Sequence, residues 1–199
     1  MSDVPAEDRR WVERLRARGA LLDGHFRLSS GLHSPSYVQC ALLLQHPEEA
    51  AAAGAALVER LSARFAPPPE TIVSPAIGGI VLGHEVARAW GARAVWAERE
   101  AGGGLAFRRG FALSPGERVV AVEDVVTTAG SLRELVALCR QAGAEVVGAA
   151  SLVDRSGGSV EWELPWATLV AIEVPRHPPA HCPQCAAGTP AVKPGSRPG

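Results

Sequence analysis

The residues with the clearest chemical potential form one short run, Glu123–Ser131. Two carboxylates, Glu123 and Asp124, open the run, and a helix-like stretch follows it. Small and hydroxyl-bearing residues complete it: Val125, Val126, Thr127, Thr128, Ala129, Gly130 and Ser131. The free N–H groups and partial positive charge at a helix N-terminus suit a phosphate. The carboxylates accept hydrogen bonds from neighbouring hydroxyls, such as those of a ribose, or face a metal ion. The run therefore indicates a site for a sugar with a diol and a phosphate.

The flanking residues predict the elements that position this run. Val119–Val122 is short, apolar and rich in β-branched Val, which is typical of a strand buried on both faces of a parallel sheet. Leu132–Leu138 has the apolar face of a helix. The acids then lie at the carboxyl end of a strand, where ligands of open α/β sheets bind. The alternative is a strand ending in two solvated acids, with Thr128 or Ser131 as an ordinary helix cap.

The run resembles the phosphoribosyl-pyrophosphate (PRPP) signature of type I phosphoribosyltransferases, and its Glu-Asp-Val-Val-Thr-Thr form is close to that of orotate phosphoribosyltransferases. The resemblance implies an α/β fold with a central parallel sheet flanked by helices and a small N-terminal hood. It also implies that Glu123 and Asp124 hold the ribose diol and that residues 125–131 wrap the 5′-phosphate. Thr127 would in addition reach the base.

Two further segments match positions that bind pyrophosphate in this family. Thr71–Ser74 predicts a strand that enters a glycine-containing loop before the next helix, and Ile77, Gly78 and Gly79 would bind pyrophosphate there. Arg99, at the end of another predicted strand, is the best match to a pyrophosphate-binding side chain, and we count it with the acids as catalytic.

Residues 101–111 contain three consecutive glycines and two arginines, Arg108 and Arg109. In the family this region is a flexible loop that closes over the active site of the partner subunit, and Arg108 is a weaker pyrophosphate match than Arg99. A lid that excludes water suits a reaction with an oxocarbenium-like intermediate. The alternative is that both arginines flank a solvated hairpin.

Arg155 follows the predicted strand Glu145–Val153 and precedes two glycines. A guanidinium at this edge of the sheet faces the same crevice as the phosphate turn and pairs well with a carboxylate. In the family, the Arg of this Asp-Arg pair binds the carboxylate of orotate. Arg155 and Thr127 are therefore the expected orotate-binding residues.

Length and composition suit one globular domain, which we expect to span residues 1–187, with the hood at about 19–45 and a disordered tail over 188–199. The segment Phe26–Tyr37 resembles the family's hood motif. A net charge of −1 without a long basic run argues against nucleic-acid binding. Met1–Arg18 lacks the apolar core of a signal peptide, and no apolar run approaches a membrane span. We expect a cytoplasmic protein.

Four cysteines are present, and we expect them to be reduced in that compartment. Cys182 and Cys185 are spaced like half of a zinc knuckle, with His177 and His181 nearby. A second cysteine pair is absent from the sequence, so the two interpretations are a zinc site or two free thiols in a tight turn.

Together, the resemblance implies a homodimeric enzyme with shared active sites that makes orotidine 5′-monophosphate from orotate and PRPP, with Mg²⁺ on the pyrophosphate. Two alternatives share the PRPP signature. A purine phosphoribosyltransferase would need no carboxylate partner for its base, whereas a PRPP-sensing regulator would need a DNA-binding domain.

Overall fold

The computed structural model describes residues 6–28 and 30–194, and within these it contains a six-stranded sheet, a two-stranded hairpin and six α-helices. The strands are β1 (Leu21–Arg27), β2 (His33–Val38), β3 (Thr71–Pro75), β4 (Arg93–Arg99), β5 (Leu105–Phe107), β6 (Arg118–Val126), β7 (Glu145–Asp154) and β8 (Trp166–Ala171). The helices are α1 (Ala6–Ala17), α2 (Ala41–Leu44), α3 (Pro47–Ser62), α4 (Gly79–Trp90), α5 (Gly130–Gln141) and α6 (Pro183–Ala186), with a 3₁₀ turn at Pro179–His181. None of these described helices has both the length and the apolar character needed to cross a bilayer.

The central sheet has the strand order β5-β4-β3-β6-β7-β8, and its strands are parallel except for β5. The predicted sheet flanked by helices is confirmed, but it is mixed and not purely parallel. The exception arises because the glycine-rich turn after β4 returns the chain directly, so that Phe107 pairs with Ala97. Only a long crossover could have made this connection parallel.

The strand order places a topological switch point between β3 and β6. From β3 the chain first adds β4 and β5 on one side, and then adds β6, β7 and β8 on the other. At such a point the loops leaving the two central strands diverge and open a crevice at their carboxyl ends. The loop after β3 and the turn after β6, both predicted to bind PRPP, therefore border the same crevice.

The apolar run in β6 is explained by burial on both faces of the sheet. Val120 and Val122 belong to the core under α1, α3 and α4, whereas Val119 and Ala121 belong to the core under α5. Each of these four side chains is fully buried. A strand that alternates apolar and polar residues would place a polar face against one of these two cores. A strand covered by helices on both faces therefore needs a continuous apolar pattern.

The hairpin of β1 and β2 forms the hood, within the segment predicted for it. The chain beyond residue 187, where we expected disorder, runs beside β1 as far as residue 194. Arg27 N–H donates to the Val192 carbonyl at 2.8 Å, and Val192 N–H donates to the His25 carbonyl at 2.8 Å. Val192 and its partners in β1 lie far apart in the sequence, so local patterns do not predict this pairing. The rest of the predicted tail, 195–199, lies outside the described residues.

Candidate active site

The turn between β6 and α5 has the backbone of an anion-binding site. Ala129 directly precedes α5 with φ 62° and ψ 16°, a left-handed conformation uncommon for a residue with a Cβ. In the described chain no side chain caps α5, so the alternative of Thr128 or Ser131 as an ordinary cap is wrong. The first N–H groups of α5 are therefore left for a ligand.

Glu123 and Asp124 lie near the end of β6, both half-buried. Burial raises the pKa of Glu123 to about 7; the neighbouring Asp124 charge adds to this shift, and Arg99 opposes it. Burial also raises the pKa of Asp124, against the hydrogen bonds that its carboxylate accepts from the N–H groups of Val125 and of Asp124 itself. Two desolvated acids side by side stabilise a ligand that donates hydrogen bonds or carries positive charge.

The loop after β3 lies directly against this acid pair. A Cβ atom built on Gly78 would stand 2.7 Å from Asp124 Oδ1, and one on Gly79 would stand 3.1 Å from the Val122 carbonyl oxygen. Ile77 is 85% exposed at the tip of the loop. The predicted pyrophosphate residues are thus brought to the acids, with room only for backbone at Gly78.

Arg99 ends β4 and reaches α5. Its Nη1 lies 2.7 Å from Glu134 Oε2 and 2.8 Å from Oε1, and about half of its side chain is exposed. The guanidinium is close enough to lower the pKa of Glu123. The structure therefore places Arg99 beside the acid pair, but in an ion pair with Glu134 that the sequence did not predict.

The two arginines after the glycine-rich turn are exposed. Arg109 has φ 58° and forms an ion pair with Glu98 on β4. Its guanidinium is therefore used to hold the base of the turn. Arg108 remains the basic side chain of this segment that best suits contact with a ligand or a second subunit.

Arg155 and Thr127, the two predicted orotate-binding residues, line one cleft of about 630 Å³. A backbone hydrogen bond joins the ends of β6 and β7, where these residues lie: Arg155 N–H donates to the Val126 carbonyl at 2.8 Å. Among the described residues, Arg155 Nε is buried without a hydrogen-bond partner. Burial lowers the pKa of Arg155, and the adjacent Arg176 lowers it further. Such a guanidinium donates strong, charge-assisted hydrogen bonds to an anion.

Asp154 fixes the loop that presents Arg155. It is buried, and its carboxylate accepts hydrogen bonds from Ser156 N–H at 2.8 Å and Gly158 N–H at 3.2 Å. These bonds close the turn after β7 around the carboxylate. The Asp of the Asp-Arg pair thus positions its neighbour, and only the Arg side chain faces the cleft.

Three residues of the site were missed from the sequence. Arg176 follows β8 and lines the Arg155 cleft, and its place after a strand of the same sheet could have revealed it. Cys40 is buried with its thiol 3.7 Å from the Asp124 carbonyl oxygen, and Tyr37 lies near Arg155. Tyr37 was part of the hood motif without an assigned role, whereas no sequence signal connects Cys40 to the acids.

Comparisons with known proteins agree with this arrangement. The sequence model of the phosphoribosyl transferase domain matches residues 41–181. The orotate phosphoribosyltransferase of Pelotomaculum thermopropionicum is 51% identical over 180 residues, which cover 90% of this chain and 92% of the relative. That of Thermotoga maritima is 48% identical over 185 residues, with 93% and 97% covered. A crystal structure of orotate phosphoribosyltransferase from Aeropyrum pernix superposes with a TM-score of 0.66 at 28% identity, covering 79% of this chain and 92% of that one.

One assignment follows from the crevice at the switch point and the uncapped turn after the acid pair. The domain match and the sequence identity to the relatives lead to the same assignment. This chain belongs to the phosphoribosyl transferase family, and within it to the orotate phosphoribosyltransferases.

Proposed function

We propose that this protein transfers the 5-phosphoribosyl group of PRPP to orotate, releasing pyrophosphate and forming orotidine 5′-monophosphate for pyrimidine synthesis. The observation that carries the proposal is the buried, partnerless Nε of Arg155 in the cleft that also contains Thr127 of the phosphate turn. A base with a carboxylate group matches this guanidinium, while the turn next to it matches the sugar phosphate.

PRPP would lie across the switch point. The 5′-phosphate would accept hydrogen bonds from the N–H groups of residues 127–131, because Val125 N–H already donates to the Asp124 carboxylate and Val126 lies in the ladder between β6 and β7. The hydroxyls of Thr127, Thr128 and Ser131 would add donors. The ribose diol would donate to Glu123 and Asp124. The pyrophosphate would lie against the backbone of Ile77, Gly78 and Gly79.

Arg99 would reach the pyrophosphate by exchanging its partner. Its present contact with Glu134 is half exposed, and exposed ion pairs contribute only about 0–1 kcal/mol. A pyrophosphate oxygen carries more charge than a carboxylate oxygen and would lie on the side of the acid pair. Glu134 would then hold Arg99 near the site before PRPP binds.

The donor set around the acid pair fits Mg²⁺. Two half-buried carboxylates with raised pKa values, Glu123 and Asp124, lack sufficient positive charge around them and offer the hard oxygen ligands that Mg²⁺ prefers. Mg²⁺ would neutralise charge on the leaving pyrophosphate. These two residues would face the ion, most of whose remaining ligands would be oxygens of PRPP and water.

In the reaction, the bond from C1 of the ribose to pyrophosphate breaks, a ring nitrogen of orotate releases its proton to solvent, and a bond from C1 to that nitrogen forms. The chain's contribution is to hold the two reactants in line and to stabilise the charge on the departing group. The acid pair would also stabilise positive charge that develops on the ribose. Residues 102–109 would close over the site to exclude water from the reacting carbon.

We further propose that the enzyme works as a homodimer in which residues 102–109 complete the site of the partner subunit. This segment lies at the sheet edge, because it contains β5, the last strand there, and Arg108 at its end is exposed. A second chain packed against this edge would receive Arg108, whereas Arg99 remains beside the acids of its own chain.

The purine alternative is disfavoured by the same cleft. A purine base brings no carboxylate, and it would leave the half-buried Arg155 guanidinium, with its buried Nε, beside Arg176 without a counter-charge, which is costly. The regulator alternative needs a DNA-binding surface, and the formal net charge of −1 does not favour one.

The direct test is an assay with PRPP, Mg²⁺ and either orotate or adenine. We expect pyrophosphate release and loss of orotate absorbance with orotate, and no turnover with adenine. Turnover with adenine alone would establish the purine alternative, and PRPP binding without turnover of either base would favour the regulator.

Replacing Arg155 should affect orotate selectively. Truncating one partner of a buried charge pair costs about 2–5 kcal/mol. Arg155→Ala should therefore raise KM for orotate roughly thirtyfold to several-thousandfold at 1.4 kcal/mol per decade, with PRPP affinity nearly unchanged. Arg155→Lys should recover only part, because an ammonium cannot make the two-pronged contact. The control Arg88→Ala, at an exposed arginine of α4, should change neither constant. Unchanged orotate binding in Arg155→Ala would remove the base assignment.

PRPP binding should release a proton from Glu123. Its pKa of about 7 means that roughly half of the free protein carries this proton at pH 7. The ribose diol needs the charged form as acceptor, so affinity should fall as the pH drops through 7. Calorimetry in two buffers with different ionisation enthalpies counts the released protons. Glu123→Gln corrects for titration of PRPP itself, and equal counts for the two proteins would contradict this role of Glu123.

Subunit mixing tests the shared site. At an orotate concentration far below the raised KM of Arg155→Ala, Arg155→Ala and Arg108→Ala subunits should each show almost no activity alone, but in hybrid dimers one of the two sites is intact. A random mixture should therefore recover about a quarter of wild-type activity. Mixing Arg155→Ala with Arg99→Ala provides the control and should recover nothing, since both residues act within one chain. No recovery in the first mixture, with hybrids shown to form, would place the lid over its own site.

A further inference from the structure

Four metal-ligating side chains from two distant parts of the chain meet beneath the hood. We call them the His/Cys cluster: His25, His33, Cys182 and Cys185. Their ligand atoms all lie within 4.8 Å of one another. The first three residues are buried, and Cys185 is at the solvent side. The cluster lies outside the PRPP and orotate sites, and nothing in the proposed reaction uses it.

The distances within the cluster are close to those of a tetrahedral metal centre. His25 Nε2 lies 2.9 Å from His33 Nδ1 and 3.4 Å from Cys182 Sγ. Cys185 Sγ lies 3.2 Å from His33 Nδ1 and 3.7 Å from His25 Nε2. Zn–N and Zn–S bonds at tetrahedral angles place neighbouring ligand atoms about 3.3–3.8 Å apart. The contacts of Cys182 and Cys185 with His25 lie in this range, whereas the two contacts of His33 Nδ1 are shorter, so His33 would move back by a few tenths of an ångström to admit the ion.

The His25 ring is held in the form that a metal requires. His25 Nδ1 lies 2.7 Å from the Thr189 carbonyl oxygen, which can only accept a hydrogen bond. In the neutral ring Nδ1 therefore carries the hydrogen and Nε2, the atom that faces the other three ligands, has the lone pair. A backbone carbonyl that orients a ligating imidazole in this way is the usual outer-sphere partner in zinc sites.

The backbone of β1 is adapted to deliver His25. The ladder between β1 and β2 is irregular between Asp23 and Phe26, and the successive residues His25 and Phe26 are both buried. In a regular strand one of them would face solvent. A bulge that turns a side chain inward is a typical way to re-aim a residue at a site.

We propose that the His/Cys cluster binds one structural Zn²⁺ ion. Two thiolates and two imidazoles form the closed set of four ligands of structural zinc sites, with no position left for a substrate. Iron–sulfur clusters use mostly thiolates, and a redox pair Cys182–Cys185 would give the two histidines no role. Each thiol loses its proton to solvent when its sulfur binds the metal.

The ion joins the C-terminal segment to the hood. Hydrogen bonds already connect these parts: His33 N–H donates to the His177 carbonyl at 2.8 Å, and Gln184 Nε2 donates to the Gly24 carbonyl at 2.9 Å. A two-stranded hairpin alone is marginal in water. The zinc ion would fix β1 and β2, and with them Tyr37, which lies near Arg155.

The site also corrects the sequence-based choice of ligands. His177 and His181 are closest to the cysteine pair in the sequence, yet the structure brings His25 and His33 there. His181 is exposed and belongs to the same turn as Cys182, which makes it a matched control.

The test is metal analysis of tag-free, reduced protein purified without chelator. We expect about one zinc ion per chain. Cys185→Ser and His33→Ala should lose most of it, whereas His181→Ala should retain it. The measurement does not involve transferase activity, so its outcome is independent of the proposed reaction. Wild-type protein without zinc, or equal loss in His181→Ala, would overturn the site.

A second measurement guards against variants that fail to fold. Wild-type protein stripped of metal should bind Co²⁺ one to one, with the visible absorption of tetrahedral cobalt and a thiolate charge-transfer band, and Zn²⁺ should displace it. Zinc should also protect Cys182 and Cys185 from alkylation and raise the Tm. No tetrahedral cobalt spectrum, or a Cys182–Cys185 disulfide in the freshly purified protein, would contradict the proposal.

Discussion

The contact between Asp124 and Gly78 is the constraint on which the crevice depends. It brings the end of β6 so close to the loop after β3 that a single Cβ atom at residue 78 would overlap the carboxylate, at 2.7 Å from Oδ1. The two loops therefore form one surface. A ligand that binds both must present a hydrogen-bonding group between its two anionic ends, because the acid pair lies between two stretches of free backbone N–H. PRPP has this layout, with a diol between the 5′-phosphate and the pyrophosphate.

The electrostatics of the crevice follow from this packing. Burial of the acids raises their pKa values, and the basic residues that could relieve them lie at the periphery: Arg99 is paired with Glu134, and Arg155 is on the other side beside Arg176. Opposite charges are thus separated across the site instead of neutralising each other. PRPP and orotate together carry anionic groups at their ends and hydroxyls in the centre. The anionic groups can pair with the arginines while the hydroxyls donate to the acids, which favours binding of the two substrates together.

The sequence predicts those parts of the site that are local in the chain. The strand, acid pair, turn and helix from Val119 to Leu138 lie within one βα unit, so apolar pattern and residue order were enough to place them. The same holds for Arg155 after β7. Glu134 was missed because its partner, Arg99, comes from another strand, and Cys40 because its contact with Asp124 spans 84 residues. A hairpin was among the interpretations of residues 101–111, but three residues carry too little pattern to show that its second arm joins the central sheet as β5. Contacts of this kind are decided by the packing of the whole sheet.

The hood is the part of the fold where the two proposals meet. Its hairpin pairs with itself and with the segments near Val192 and His177, and among the described residues no ladder joins it to the central sheet. Yet Tyr37 and Cys40, at the end of β2 and just after it, approach Arg155 and Asp124. A loosely held hairpin would leave the base cleft open on that side. A metal at the far end of the same hairpin fixes its position without adding any group to the cleft. The active site can then keep its uncompensated charges for the substrates, while the stability of its cover comes from ligands elsewhere.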